Sequence, residues 1–310
     1  MKPPLISASA AGSAGTGSRR YFLKSLTAGA ATVGVGVAAR LQAAESTSPA
    51  PASRSPMRLA LVTYELAKDW DLATIIKNCQ ATGFDGVELR TTHAHKVETD
   101  LPAEARKEVR RRFEDSGVVL VGLGSTFDYH TPDPVKLKRD IEATKEYLLL
   151  ARDVGAGGVK VRPNGLPPEV PVAQTLAQIG RALREVGEFA AQHGLQIRLE
   201  VHGDGTSLLP NIRKIMDAAD LPNVGVCWNS NQTDLAGDGF DANFDRVKSR
   251  IQTVHLRDLF LAEYPWRHLF ARLNGIGFAG FAMAEIPHSA DPLRVMRYFR
   301  ALWLALQDRS

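Results

Sequence analysis

Two cysteines in 310 residues, Cys79 and Cys227, are too few for a disulfide framework, so an apolar core has to hold the fold. The 44% apolar content is enough for one. No run of ~20 strongly apolar residues is present, and the gentlest candidate, Ser25 to Ala39, is short and rich in Gly and Ala. That argues against a stable membrane span. No Gly-x-Gly-x-x-Gly turn opens the first helical stretch, which argues against a doubly wound nucleotide-binding sheet. An excess of charge of one sign is also missing from most of the chain. The 38 bases and 34 acids include Lys2, Arg19, Arg20, Lys24 and Arg40 within the first 44 residues, where no acid occurs; without those five the count is 33 against 34. A net charge of about −1 lacks the basic footprint of a nucleic-acid binder and points to small, uncharged partners.

The first segment has a pattern of its own. Ser18-Arg19-Arg20-Tyr21-Phe22-Leu23-Lys24 precedes the small-residue run, which ends in Arg40-Leu41-Gln42-Ala43-Ala44. It resembles a twin-arginine export signal over residues 1–44, cleaved near Ala43 or Ala44, and so implies a periplasmic or other extracytoplasmic location. Residues 45–56, rich in Ser, Pro and Ala, read as a flexible tether. The folded part is expected over residues 57–310.

From Met57 onward, short β-rich runs alternate with amphipathic stretches. Strands are predicted at 58–64, 86–89, 118–122, 158–161, 197–201, 224–228, 251–256 and 281–286. Helices are predicted at 72–82, 103–116, 134–154, 172–192, 209–219, 244–250, 266–273 and 292–306. Gly83, Gly117, Gly155 and Gly194 stand where C-terminal caps belong. Eight β/α units over some 250 residues indicate an α/β fold of one domain, a (β/α)8 TIM barrel.

A barrel makes strand parity informative, because alternate side chains face the lumen and the active site sits at the C-terminal strand ends. In the fifth strand Ile197, Leu199 and Val201 suit the helix layer, which leaves Arg198, Glu200 and His202 inward. The same rule sends inward Glu88 and Arg90, Lys160 and Arg162, Cys227, Asn229 and Asn231, Thr253, His255 and Arg257, and Met283 and Glu285. So many enclosed charges must neutralise one another, bind a cation or meet a polar ligand. Glu200, Asn229, His255 and Glu285 lie one β/α unit apart and form an oxygen-rich set with one imidazole. Such donors suit a divalent metal: Mn, Mg, Co or Zn.

Arg198-Leu-Glu-Val-His202, Val254-His-Leu-Arg-Asp258 and Ala284-Glu285 after Gly280 resemble strand ends of the xylose isomerase-like TIM barrels, the sugar phosphate isomerase/epimerase family. The resemblance covers nearly all of residues 57–306. It implies a divalent metal held by Glu, Asp, His and Glu on strands five to eight, a small-molecule carbohydrate as partner, and two glutamates that move a proton beside a carbonyl. Glu200, His255 and Glu285 match residue by residue, with Glu200 and Glu285 as the catalytic pair. The sixth strand departs: the aspartate position holds Asn229, and Gln232 stands where a histidine is often found. An amide oxygen still ligates, with less pull than a carboxylate, so weaker metal binding is expected. Alternatively, Asn229 to Gln232 only cap backbone.

Around this set, His202, Lys160, Arg162, Arg257, Asn231 and Glu88 are the substrate-binding candidates. Lys160 and Arg162 suit a developing enolate oxygen or simply balance the glutamates; His202 suits substrate or the orientation of Glu200. Tyr64, His93 and His95 are candidate ring contacts at the mouth. Asp258, Arg110 to Arg112 and Trp266 read as structural. The expected chemistry on an unphosphorylated sugar or keto-sugar passes through an enediolate. Isomerisation, epimerisation and β-elimination from a 3-keto-glycoside share that step. A non-catalytic sugar-binding barrel and a DNA-repair endonuclease are the other classes, the latter opposed by the near-neutral charge.

Overall fold

A computed structural model of the chain describes residues 57–308. The predicted signal, its cleavage point and the tether lie outside the described residues. Eight strands form a closed, all-parallel barrel in sequential order, the predicted (β/α)8 architecture. They are β1 Arg58–Val62, β2 Gly86–Arg90, β3 Val119–Asp128, β4 Gly158–Arg162, β5 Gln196–Glu200, β6 Val224–Trp228, β7 Ile251–Leu256 and β8 Phe281–Ala284. Around them run α1 Leu72–Thr82, α2 Ala103–Ser116, α3 Pro134–Val154, α4 Val172–Ala191, α5 Leu209–Ala219, α6 Gly239–Val247, α7 Trp266–Gly275 and α8 Pro292–Ala305.

Local chemistry sets the helix ends. Asp71, Asp133 and Asp291 accept from Thr74, Val135 and Arg294 backbone N–H groups, which satisfies donors that an N-terminus leaves open. At the other end of α1, Gly83 takes φ 71° and donates to the Cys79 and Gln80 carbonyls, a left-handed turn that a side chain disfavours. Inner faces such as Ile75, Ile76 and Cys79 of α1 join one apolar layer between helices and strands. Each Ile or Leu buried there contributes about 1.5–3 kcal/mol. Ile197, Leu199 and Val201 lie in that layer, as their parity predicted.

Inside the barrel, Ala60, Val62, Val121, Phe281 and Met283 form a separate small cluster. Above it the lumen is charged. The cysteines are both buried and free, Cys79 on α1 and Cys227 on β6, as expected.

Several elements differ from their predicted bounds. β1 and β8 stop two residues early, although Glu285 N still donates to Leu256 O at 2.9 Å. α6 begins at Gly239, ahead of the predicted 244, and 248–250 form a 3-10 turn. β3 runs on through Gly122 and Gly124 to Asp128, six residues past its predicted end at 122. They serve as space: a Cβ on Gly122 would sit 2.8 Å from Arg198 Nη1, and one on Gly124 3.0 Å from Glu88 Oε1. Strand β3 is hollowed to admit charges from β2 and β5.

Candidate active site

The C-terminal ends of β5, β7 and β8 bring Glu200, His255 and Glu285 together. One ligand atom from each lies within 4.8 Å of the others. His255 Nδ1 stands 3.6 Å from both Glu200 Oε1 and Glu285 Oε2, so one edge of the imidazole faces both glutamates. On its opposite edge Nε2 is 3.2 Å from Glu88 Oε1 of β2, although neither atom has a formed hydrogen bond. In the neutral ring that metal ligation requires, a carboxylate there favours the tautomer with Nε2–H, which leaves the Nδ1 lone pair toward Glu200 and Glu285.

The electrostatics follow from enclosure. Glu200 and Lys160 are both nearly inaccessible, and Lys160 Nζ donates to Glu200 Oε2 at 2.6 Å. Burial pushes the Glu200 carboxyl up, but Lys160 and His255 outweigh it and hold it well below the usual range. Glu88 is likewise lowered against its burial, by His255, Lys160 and Arg198. For His255, burial disfavours the cation; Cys227, Glu285 and Glu88 outweigh it and raise the imidazole well above its ordinary range. Glu285 is less enclosed than Glu200 and has Arg90 Nη1 at 3.8 Å. Arg90 in turn lies over the Tyr64 ring at 5.2 Å.

The sixth-strand amides divide in role. Asn229 is buried, and its Oδ1 has no hydrogen-bond partner. Asn231 is occupied with structure: Nδ2 donates to Val201 O at 2.6 Å, and the residue forms a reciprocal cap with Asp234. Between them Ser230 takes φ 50° and donates Oγ–H to His255 O at 2.8 Å. Asp234 anchors this turn through Asn231 N and Tyr264 OH, and Trp228 Nε1 donates to Tyr264. Enclosure pushes the Asp234 carboxyl up to about 7 against those donors and Arg257. The sequence reading did not single out this anchor; Asn231 and Asp234 three residues apart are its visible capping signal.

The other predicted residues spread around the rim. His202 is half-buried near Glu200, Arg162, Lys160 and Glu285, and its Nδ1 has no partner. Arg162 and Arg257 are half-buried past the ligand level; Arg257 Nε donates to Ser230 O at 3.1 Å. Glu88 is fully enclosed and faces His255, so its position suits orientation of that ring more than contact with substrate. His93 meets Thr63 Oγ1 at 3.0 Å, and burial first, then His95 and Arg90, lower its pKa to about 4. His95 is turned away, with Nε2 2.8 Å from Arg90 O. Trp266 donates Nε1–H to Leu261 O and stacks near Tyr264, a packing role.

The donor set fits a divalent ion. Two carboxylates and an imidazole nitrogen converge, and both His255 Nδ1 and Asn229 Oδ1 are buried without a hydrogen-bond partner. A sequence profile described as xylose isomerase-like TIM barrel matches residues 76–302. The chain belongs to that family. Among solved structures, this xylose isomerase-like barrel is similar to an IolI protein with a bound zinc atom, at 15% identity, TM-score 0.70, covering 81% of this chain and 98% of that one. It is also similar to D-psicose 3-epimerase from Clostridium cellulolyticum H10 with D-tagatose, at 14% identity and TM-score 0.69, over 81% and 99%. A third likeness is to the 3-keto-D-glucoside 4-epimerase YcjR from E. coli, at 16% identity and TM-score 0.68, over 80% and 99%. At these identities the likeness is one of fold. No curated protein matches the chain.

Proposed function

We propose that this protein is an exported, metal-dependent sugar isomerase or epimerase that moves a proton beside the carbonyl of an unphosphorylated sugar or keto-sugar. The reading is carried by the convergence of Glu200, His255 and Glu285 within 4.8 Å at the barrel's C-terminal end. Family membership and the similarity to sugar epimerases support it. Export rests on the twin-arginine pattern of residues 18–24 alone.

Glu200, His255 and Glu285 would hold the metal, with Asn229 Oδ1 as an uncharged fourth donor. A divalent ion held there supplies Lewis-acid polarisation of a carbonyl and its neighbouring hydroxyl. Glu285, the less enclosed carboxylate, takes the C–H proton adjacent to that carbonyl. Glu200, fixed by Lys160, faces the site as the second carboxylate. Glu285 returns its own proton where the same face is reprotonated. On the other face Glu200 relays a proton from the Lys160 ammonium, which solvent restores as Glu285 releases the one it took. Lys160 steadies negative charge as it develops on oxygen. Return at the neighbouring carbon isomerises; return on the other face epimerises. The same abstraction from a 3-keto-glycoside opens β-elimination, the lyase alternative.

The test is incubation with Mn²⁺ and candidate ketoses or 3-keto-glycosides in D₂O. Deuterium is expected at the carbon next to the carbonyl, and Glu200→Gln or Glu285→Gln should each reduce exchange by about 10²–10⁴-fold. If no exchange occurs and substrate deuterated at that carbon shows no isotope effect on turnover, the reading fails.

A further inference from the structure

The chain's near-neutral total does not describe its barrel. Five permanent cations, Arg90, Lys160, Arg162, Arg198 and Arg257, stand at lumen positions, against three carboxylates, Glu88, Glu200 and Glu285. Lys160 is paired with Glu200, and Arg90 approaches Glu285. Arg198, low in the lumen, is satisfied by Val121 O and Gln196 Oε1. Arg162 and Arg257 have no carboxylate within 4.0 Å among the described residues. The buried Nε of Arg162, Nη2 of Arg257 and Nδ1 of His202 also lack hydrogen-bond partners.

These groups belong to one storey of the barrel. Arg162, His202 and Arg257 each lie two residues beyond a ligand-level residue, Lys160, Glu200 and His255, on the side toward the mouth. Two carboxylates beside these arginines, Asp128 by strand register with Arg162 and Asp234 by Arg257, are already taken. Asp128 is held by Lys136 at 3.0 Å and by Asn164, and Asp234 by Tyr264 and Asn231. Buried guanidinium N–H groups without acceptors are costly, and an unbalanced enclosed charge more so. A bound divalent ion would increase the imbalance.

We infer that the substrate is a sugar acid, whose carboxylate meets this cationic storey while its carbonyl end lies at the ligand level. A neutral sugar would satisfy the free N–H groups with hydroxyls but leave the charge uncompensated. Planar guanidinium groups suit a carboxylate in geometry as well as charge. The assignment rests on the sugar reading above, including its unphosphorylated substrate.

Titration calorimetry on the full chain, with and without Mn²⁺, compares D-fructose, D-fructuronate and D-fructose 6-phosphate at fixed 0.1 M salt. D-fructuronate should bind at least tenfold more tightly than D-fructose and more tightly than the phosphate. Arg162→Gln and Arg257→Gln should each cut that preference, read as the ratio of the two affinities, several-fold, whereas Arg162→Lys should retain most of it. Equal or better binding of D-fructose, no measurable binding of D-fructuronate, or an undiminished preference in both Gln variants overturns the inference. Tighter binding of the phosphate overturns the carboxylate assignment. Deuterium exchange separates this from the reading beneath it. Preference for D-fructuronate without exchange or isotope effect sinks proton abstraction and leaves the sugar acid standing; exchange with D-fructose and no anion preference does the reverse.

Discussion

The two halves of the barrel divide the labour unequally. Strands β5 to β8 supply every candidate metal donor: Glu200, Asn229, His255 and Glu285. Strands β1 to β4 supply no donor but place a counter-charge beside each charged one: Lys160 beside Glu200, Glu88 beside His255, Arg90 beside Glu285. The second half holds the groups that would do the chemistry, and the first half fixes the state in which they are held. In a closed barrel this is possible because all strands share one narrow, low-dielectric lumen, where Glu88 of β2 reaches His255 of β7 and Lys160 of β4 reaches Glu200 of the adjacent β5.

The sharpest way to break that division is to remove a first-half charge. Lys160→Met leaves Glu200 buried without its ammonium and should cost about 3–5 kcal/mol of stability in urea unfolding. Added Mn²⁺ should recover part of the loss, because a cation returns to the same carboxylate. No loss on substitution would mean that Lys160 is not the counter-ion.

A second-half group offers the next effect. Asp234, pushed up to about 7 mainly by enclosure, is protonated when folded at pH values where the unfolded carboxylate, near 3.8, is already ionised. The folded state therefore binds the extra proton, and stability should fall as pH rises from about 4 to 7, by roughly 3 kcal/mol at most. Thermal unfolding across that range should show the slope in the wild type and a flatter profile in Asp234→Asn.

Glu88→Gln tests whether the first half orients a second-half ligand. Metal affinity measured by calorimetry should fall about 10- to 100-fold, as expected when a carboxylate behind a ligating histidine is lost. The visible spectrum of the Co²⁺-loaded protein should shift as well. Asn229→Asp works within the second half alone and should raise Mn²⁺ affinity by about tenfold or less. Unchanged affinity there would mean that Asn229 does not ligate.

Much of this was readable along the chain. Short β-rich runs, amphipathic stretches and glycines after helices locate most elements, because those signals are local and depend on backbone geometry. Parity alone put Glu200, His255 and Glu285 on the lumen side. It could not say that Asn231 would turn to Val201 and cap a turn while Asn229 kept an unpartnered oxygen, since that choice depends on the left-handed Ser230 between them.

What the sequence by itself determined is the repeat of β/α units, the inward or outward sense of each strand residue, and hence the composition of the lumen. Only the tertiary structure decided which lumen charges meet. Gly122 and Gly124 look like strand breakers until Arg198 and Glu88, from strands on either side, occupy the space they leave. Lys160 and Glu200 are 40 residues apart, and Glu88 and His255 farther still. No local rule pairs them: Lys160 meets Glu200 through the register of the adjacent β4 and β5, and Glu88 meets His255 only because the barrel closes through β1 and β8.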